Sequence, residues 1–158
     1  MDYLLLKWIH VLSSTILFGA GAGSAFHLFA ASLRRRVGGI ASATRNVVLA
    51  DWVLTTPTAV LQPVTGLWLV HLMGVPFSTP WVAWSLALYV FAIACWIPVV
   101  WIQIRMRKVA EEAERRGGPV PPAYDRLFHQ WTVLGFLALF AFLMIFWLMV
   151  AKRLPWAD

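Results

Sequence analysis

Four long apolar stretches, at residues 3–33, 47–73, 80–107 and 127–150, restrict the fold of this chain more than any other feature. Each is near or above the roughly 20 residues that a helix needs to cross the hydrocarbon core of a bilayer. A backbone inside lipid must satisfy its own hydrogen bonds, and a barrel would show short alternating segments instead. We therefore predict an all-α fold, a bundle of four transmembrane helices that forms a single membrane domain over residues 1–158.

The overall composition also indicates a membrane protein. Hydrophobic residues make up 61% of the chain and charged residues only 13%, whereas ordinary globular chains carry about 25% charged residues. A soluble domain of 158 residues has too much surface for its volume to bury so many apolar side chains. The first residues, Met-Asp-Tyr-Leu, lack the positive segment that opens a signal peptide, so we expect the first stretch to be a genuine span.

The positive residues lie beside the apolar stretches and mostly on one side of the predicted bundle. The first and third connections hold ten Lys and Arg residues, whereas the two termini and the second connection together hold three. Connections rich in Lys and Arg stay in the cytoplasm, so both termini are predicted on the outer, periplasmic side of a bacterial inner membrane. Charges placed in this way contact lipid headgroups. We therefore expect no nucleic-acid partner.

Four histidines lie inside or at the ends of the apolar stretches. His10 and His71 are near the predicted outer ends of spans 1 and 2, while His27 and His129 are near the inner ends of spans 1 and 4. Ionisable residues are costly inside a membrane and commonly have a function there. Two neutral imidazoles on facing helices form the axial pair of a b-type haem. The pattern predicts a haem iron held by His10 and His71, with a second haem at His27 and His129 as a further hypothesis.

One face of span 1 suits a flat cofactor. His10 and His27 are 17 residues apart, which places them within about 20° of the same face and about 25 Å apart along the helix. Ser14 and Gly21 continue this face, and such small residues leave room for a macrocycle against the backbone. Lys7, one turn before His10, is placed to meet a haem propionate. The predicted haem site therefore includes Lys7, Ser14 and Gly21.

Both features of span 1 also have explanations that involve no cofactor. Gly19 and Gly23 have the small-xxx-small spacing that close helix packing in lipid uses. A histidine near a helix end can form hydrogen bonds at the headgroup interface. The cofactor and packing interpretations of this span therefore both remain open.

Span 2 carries a second polar feature. Five polar residues share one side of an ideal helix: Asp51, Thr55, Thr58, Gln62 and Thr65. Asp51 can form an ion pair with Arg45 or Arg105, which we favour, or it can belong to a proton or quinone site inside the bundle. Two prolines, at positions 57 and 63, are expected to kink this helix.

Several segments of the sequence match a known family pattern. They are Lys7-Trp-Ile-His10, the Gly/Ala/Ser run after it, Ala50-Asp51-Trp52, the run from Gln62 to His71 and the run from Cys95 to Gln103. On these residues the chain resembles, over essentially its whole length, a bacterial family of predicted integral membrane proteins, domain of unknown function 2269. The family pattern includes matches to His10 and His71. This resemblance implies a membrane protein and brings no established activity with it.

A more distant likeness concerns the start of span 1. Lys7 and His10 resemble the Lys-x-x-His on the first membrane helix of the four-helix, haem-binding protoporphyrinogen oxidase family of bacteria. The later Pro-Arg and His of that family's first helix have no match here. The likeness therefore implies haem ligation more than it implies the oxidase activity.

These observations together predict a small b-type haem-binding membrane protein with an electron-transfer role, its haem near the outer surface. We expect the lipid bilayer and a quinone or periplasmic electron donor as partners, together with association into a homo-oligomer or a larger complex. One alternative is a cofactor-free structural or interaction subunit of a membrane complex. Another is a porphyrin-oxidising enzyme, that is, a membrane oxidoreductase. The sequence contains no hydrolase motif and no phosphate-binding loop.

Overall fold

The computed structural model of the protein describes residues 2–156, and this part of the chain is all-helical. The elements in chain order are α1 (Tyr3–Leu33), α2 (Val37–Ala50), a π-helical segment (Asp51–Thr55), α3 (Thr56–Leu72), α4 (Pro80–Arg116) and α5 (Pro122–Ala151). Four helical stretches are long and apolar enough to cross a membrane: α1, the continuous stretch Val37–Leu72, α4 and α5. The prediction of an all-α chain with four membrane-spanning helices is thereby confirmed.

The helices extend beyond the apolar stretches at one end of the bundle. The second span is helical from Val37, ten residues before the apolar stretch that begins at residue 47. α4 continues past residue 107 to Arg116 and ends at Gly117, whose φ of 62° lies in the left-handed region that glycine tolerates best. We call the end with the α1–α2 and α4–α5 connections the basic end. The opposite end, with the α3–α4 turn and both termini, is the terminal end.

The basic end contains the main packed core of the described residues. Its buried members come from all four spans: Leu28 of α1, Ile40 and Val47 of α2, Met106 of α4 and Tyr124 of α5, among others. The Tyr124 hydroxyl lies 2.7 Å from the Ser32 hydroxyl and so ties α5 to α1. Arg35 and Asp125 form an exposed ion pair beside this contact, and the bond to Asp125 raises the pKa of the Arg35 guanidinium. The four spans are therefore held together most firmly at the basic end.

Towards the terminal end the helices associate in two pairs. α1 packs on α3, while α4 packs on α5 along most of its length. A small cluster of Val70, Trp81, Val82 and Leu148 joins α3 to α4 and α5 at the far end. The space between the two pairs, in the middle of the bundle, is less completely filled.

A hydrogen bond between α3 and α4 forms where Pro63 interrupts the backbone bonding of α3. Pro63 inside α3 has no N–H, so the carbonyl of Ala59 four residues earlier loses its helical partner. The hydroxyl of Tyr89 on α4 donates to this carbonyl. An unsatisfied backbone carbonyl in lipid would be costly, so Tyr89 repairs the defect and connects α3 to α4.

The π-helical segment also has a proline beside it. Pro57 cannot bond the carbonyl of Val53 four residues earlier. The chain forms a wider turn, in which the Thr56 N–H bonds the carbonyl of Asp51 and the Thr56 hydroxyl donates to the same oxygen at 2.7 Å. The wider turn lies at Asp51 and Thr55, which are both buried in the bundle. Single π-helical turns of this kind are frequent at functional sites.

Candidate membrane-embedded binding site

A cavity of about 350 Å³ lies between the two helix pairs, closer to the basic end than to the terminal end. Its walls are almost entirely apolar and come from α1, the π-helical segment, α3, α4 and α5. Two aromatic contacts bound it along the bundle axis. Phe18 meets Phe146 edge to face at 5.3 Å between ring centroids, and Phe29 lies 5.6 Å from Phe128 on the basic side. The volume falls within the range of small-molecule pockets.

The cavity opens sideways between α1 and α5. On α1 its wall includes Gly21 and Ala22, and on α5 it includes Gly135. A Cβ added at Gly21 or Gly135 would meet no atom within 4 Å. Phe26 and Phe136 also line the cavity, although 74% and 63% of their surfaces are exposed. Because these exposed rings would face lipid, a molecule dissolved in the bilayer has a direct route into the cavity.

A short chain of polar side chains forms one wall of this apolar space. Asp51 and Gln103 are buried, with exposed fractions of 4% and 5%, and both line the cavity together with Trp131. In the amide orientation that satisfies both neighbours, Gln103 donates to the Asp51 carboxyl and accepts from the Trp131 Nε1–H at 3.1 Å. Gln103 therefore joins the π-helical segment to α5 and fixes the direction of the carboxyl.

Thr55 and Trp96 complete this polar wall, and both line the cavity. The Thr55 hydroxyl lies near the Asp51 carboxyl but without the geometry of a hydrogen bond. It is buried, and it has no hydrogen-bond partner within residues 2–156. Trp96 lies beside the same carboxyl. Buried hydroxyls almost always have a partner, and the Thr55 hydroxyl is available to bond a polar atom inside the cavity.

The expectation that Asp51 pairs with Arg45 or Arg105 is wrong. Arg45 instead lies 3.3 Å from Glu114 and 3.8 Å from Glu111, both on the extended part of α4. Arg105 lies on the surface between α4 and α5, outside the cavity. The apolar stretch suggested a helix beginning near residue 47, but α2 extends to Val37 and carries Arg45 to the acidic residues of α4. Asp51 thus forms no ion pair with any Lys or Arg that the structure describes.

The predicted ligand His10 is held through one nitrogen of its ring. Its Nδ1 lies 2.7 Å from the Thr65 hydroxyl oxygen, and that hydroxyl donates its own proton to the Leu61 carbonyl at 2.8 Å. The contact fits the tautomer in which Nδ1–H donates to this hydroxyl, and in that tautomer Nε2 keeps a lone pair. Within residues 2–156, Nε2 has no hydrogen-bond partner. A histidine held through one nitrogen, with the other free, has the form typical of a metal ligand.

The other predicted haem residues do not converge on His10. His71 is exposed on α3, and His27 and His129 are exposed on α1 and α5. The Lys7 ammonium lies 5.9 Å from the centroid of the Tyr3 ring, and the Ser14 hydroxyl bonds the Val11 carbonyl of its own helix at 2.7 Å. Gly21 therefore belongs to the cavity, whereas Lys7, Ser14 and the four histidines do not line it.

Direct contact between α1 and α3 limits how a haem can be held. The His10 ring lies against Gly66, where an added Cβ would come within 3.1 Å of Cε1. Ser13 on the next turn donates to the Gln62 side-chain oxygen at 2.9 Å. His71 follows Thr65 by six residues, which places it about 120° around the helix from the face that meets His10. His10 could serve as the one axial ligand of a haem. For a haem held by both His10 and His71, α1 and α3 would have to separate.

The glycines of α1 do not serve helix packing within this chain. An added Cβ at Gly19, Gly21 or Gly23 would meet nothing within 4 Å. Gly19 and Gly23 are on the exposed side, whereas Gly21 borders the cavity. Gly19 and Gly23 therefore leave a side of α1 without bulky side chains where it would face the membrane. Gly21, on another side, leaves space in the cavity.

Sequence reasoning missed the partners of Asp51. It paired this residue with an arginine and gave Gln103, Trp96 and Trp131 no place in a polar site. A signal was present, because Gln103 is a polar residue within the apolar stretch 80–107. Residues of this kind are costly in lipid unless they find a partner, so a partner on a neighbouring span could have been sought.

The comparison with protein families is consistent with this architecture. The family model described as a predicted integral membrane protein (DUF2269) matches residues 4–153, and the chain belongs to this family. No curated protein matches the chain. No solved structure matches it either.

Proposed function

We propose that this member of the DUF2269 family binds a lipid-soluble quinone or quinol in the cavity between α1 and α5, and that it serves membrane electron transfer in a bacterial inner membrane. The observation that carries the proposal is the buried polar wall of Asp51, Thr55 and Gln103 in a cavity that is otherwise apolar and open to the bilayer. A quinone is a ligand of matching character, since it combines a flat ring bearing two oxygens with an apolar tail.

The polar wall can recognise both redox forms of the ring. The Thr55 hydroxyl, which lacks a partner in the described chain, can donate to a quinone carbonyl. The Asp51 carboxylate can accept from a quinol hydroxyl while it keeps the bond from Gln103. Trp96 and the phenylalanine rings of the cavity offer flat surfaces against the ring. The wall thus supplies a donor and an acceptor within one turn of helix.

The lateral opening suits the rest of such a molecule. An isoprenoid tail would leave the cavity past Gly21 and Gly135, where no side chain blocks the way. It would then lie along the exposed rings of Phe26 and Phe136. Neither the tail nor the lipid would contact a charged side chain on this route.

Extraction and titration together test the proposal. Organic extraction of the protein purified in mild detergent should recover a quinone, detected by chromatography with ultraviolet absorbance. A short-chain quinone added to delipidated protein should quench tryptophan fluorescence in a saturable way. Asp51→Leu should weaken this binding, whereas the same exchange at Asp125, outside the cavity, should not. Equal binding to both variants would contradict the proposal.

A b-type haem ligated by His10 is a second candidate, favoured because α3 holds this ring through Nδ1 while Nε2 has no hydrogen-bond partner within residues 2–156. A haem there would supply one-electron chemistry near the predicted outer surface. The pair of His10 and His71, the second haem at His27 and His129 and the propionate contact of Lys7 stay predictions. The porphyrin-oxidising alternative depends on the same His10.

A visible spectrum of the purified protein distinguishes these functions. A shifted Soret band with sharp reduced α and β bands indicates haem, and the ratio of haem to protein gives the number of sites. A colourless protein that still binds quinone supports the cavity alone. A protein that is colourless and binds no quinone supports the alternative function, a cofactor-free subunit of a homo-oligomer or larger complex. The exposed face of Gly19 and Gly23 is then the surface for such contacts.

A further inference from the structure

A second concave surface lies between α4 and α5 at the basic end, away from the cavity. Its charged and polar residues are Arg105 and Lys108 on α4 together with Arg126 and Gln130 on α5. Val109 and Leu127 lie between them. We call this surface the α4–α5 cleft. Among residues 2–156, no Asp or Glu lines this cleft.

The acidic residues of the basic end are occupied elsewhere. Glu111 and Glu114 face Arg45, and Glu111 also bonds Arg107. Glu112 bonds Arg115 and Arg116, while Asp125 bonds Arg35. Within residues 2–156, Arg105, Lys108 and Arg126 form no ion pair. Three cations therefore converge on one cleft without a counter-charge from the described chain.

The surface next to the cleft is apolar and exposed on both helices. Trp101 precedes Arg105 by one helical turn and is 66% exposed. Val133 and Leu137 continue the face of Arg126 and Gln130 along α5, and both are exposed. The cleft is positively charged, and an exposed apolar strip leads from it towards the membrane centre. This arrangement is complementary to a molecule with an anionic headgroup and an apolar tail.

We propose that the α4–α5 cleft binds the phosphate headgroup of an anionic phospholipid, such as phosphatidylglycerol. Arg105, Lys108 and Arg126 bind the phosphate, and Gln130 bonds a headgroup or glycerol oxygen. The acyl chains lie over Trp101 on α4 and over Val133 and Leu137 on α5. A soluble phosphate would use the cations but would gain nothing from this apolar strip. The cleft does not share a lining residue with the cavity, so this site is independent of quinone or haem binding.

Native mass spectrometry of the detergent-solubilised protein with added lipid tests the site. Wild-type protein should retain phosphatidylglycerol in preference to phosphatidylcholine. The double variant R105Q/R126Q should bind phosphatidylglycerol about tenfold more weakly, because each cation near a membrane contributes of the order of a few-fold in affinity. R34Q/R36Q is the matched control, since it removes the same charge from two exposed arginines of the basic end that lie outside the cleft.

Three results would overturn the proposal. An equal loss in both double variants would show diffuse attraction to the basic end in place of a site. Unchanged binding in R105Q/R126Q would exclude the cleft. Displacement of the lipid by millimolar inorganic phosphate at constant ionic strength would assign the cleft to a soluble anion. Retained folding of the variants is checked through the thermal transition of tryptophan fluorescence.

Discussion

Gln103 on α4 donates to the Asp51 carboxyl of the second span, and its amide oxygen accepts from Trp131 on α5. The interaction joins three of the four spans beside the cavity. No Lys or Arg of residues 2–156 forms an ion pair with Asp51. The carboxyl is therefore held by hydrogen bonds alone, at the edge of a space that is large enough for a ligand.

Replacing Gln103 should destabilise the protein. Gln103→Leu keeps much of the volume but removes one donor to Asp51 and leaves the Trp131 Nε1–H without its acceptor. We expect a loss of about 1–3 kcal/mol in the free energy of unfolding, measured as a lower thermal midpoint in detergent. Asn46→Leu, at an exposed position on α2 outside both the cavity and the cleft, is the control and should have little effect. Equal midpoints for both variants would contradict the bridging role.

Removing the hydroxyl of Tyr89 should also cost stability, and the cost should depend on Pro63. Tyr89→Phe leaves the Ala59 carbonyl without a donor, with an expected loss of about 1 kcal/mol. Pro63→Ala restores a backbone N–H for that carbonyl, so Tyr89→Phe should cost much less in the Pro63→Ala background. A double-mutant cycle of unfolding free energies measures this coupling. Additive effects would show that the hydroxyl and the proline act independently.

Removing the Thr55 hydroxyl should change quinone affinity without lowering the stability of the protein. The hydroxyl is buried without a partner in the described chain, so Thr55→Val should leave the stability of the ligand-free protein unchanged or raise it by up to about 1 kcal/mol. The same change should weaken quinone binding, because a donor to the ring is lost. Thermal midpoints and fluorescence titration measure the two effects. A clear loss of stability without ligand would show that the hydroxyl has a structural partner.

Much of this architecture follows from hydropathy, because spans in lipid need length and apolar character above all. The limits of α1, from Tyr3 to Leu33, coincide with the first apolar stretch. The helical start at Val37 does not, since glycines and polar residues lower the hydropathy of residues 37–46, although this part of α2 is helical and packs on α4. Hydropathy measures preference for lipid, and it cannot show that a helix continues beyond the membrane.

The candidate site was only partly predictable from the sequence. The polar side of span 2 was visible, and the structure buries Asp51, Thr55, Thr58 and Thr65 as that pattern suggested. Their partners depend on which helices are neighbours. Thr65 meets His10 on α1, while Asp51 meets Gln103 on α4. A single sequence does not give the order of helices around a bundle, so these pairings could be found only in the structure.

Thr65 should control the haem chemistry of His10 if the protein binds haem. Thr65→Val removes the hydroxyl that holds Nδ1 of His10, so we expect weaker haem retention and an altered Soret band. Thr65→Ser keeps a hydroxyl at this position and should behave like the wild type. His10→Ala should abolish the haem spectrum, and His71→Ala tests the second ligand. A normal spectrum in the His10→Ala variant would remove His10 as a ligand.

Two leucine substitutions on α1 test most directly whether a quinone binds in the cavity between α1 and α5. A side chain at Gly21 would enter the cavity, whereas a side chain at Gly23 would face the exposed side, and neither would meet an atom within 4 Å of its Cβ. Fluorescence titration with a short-chain quinone should show at least about tenfold weaker binding for Gly21→Leu and wild-type binding for Gly23→Leu. Equal affinity in the wild type and both variants would place the ligand elsewhere and contradict the proposed function of the cavity.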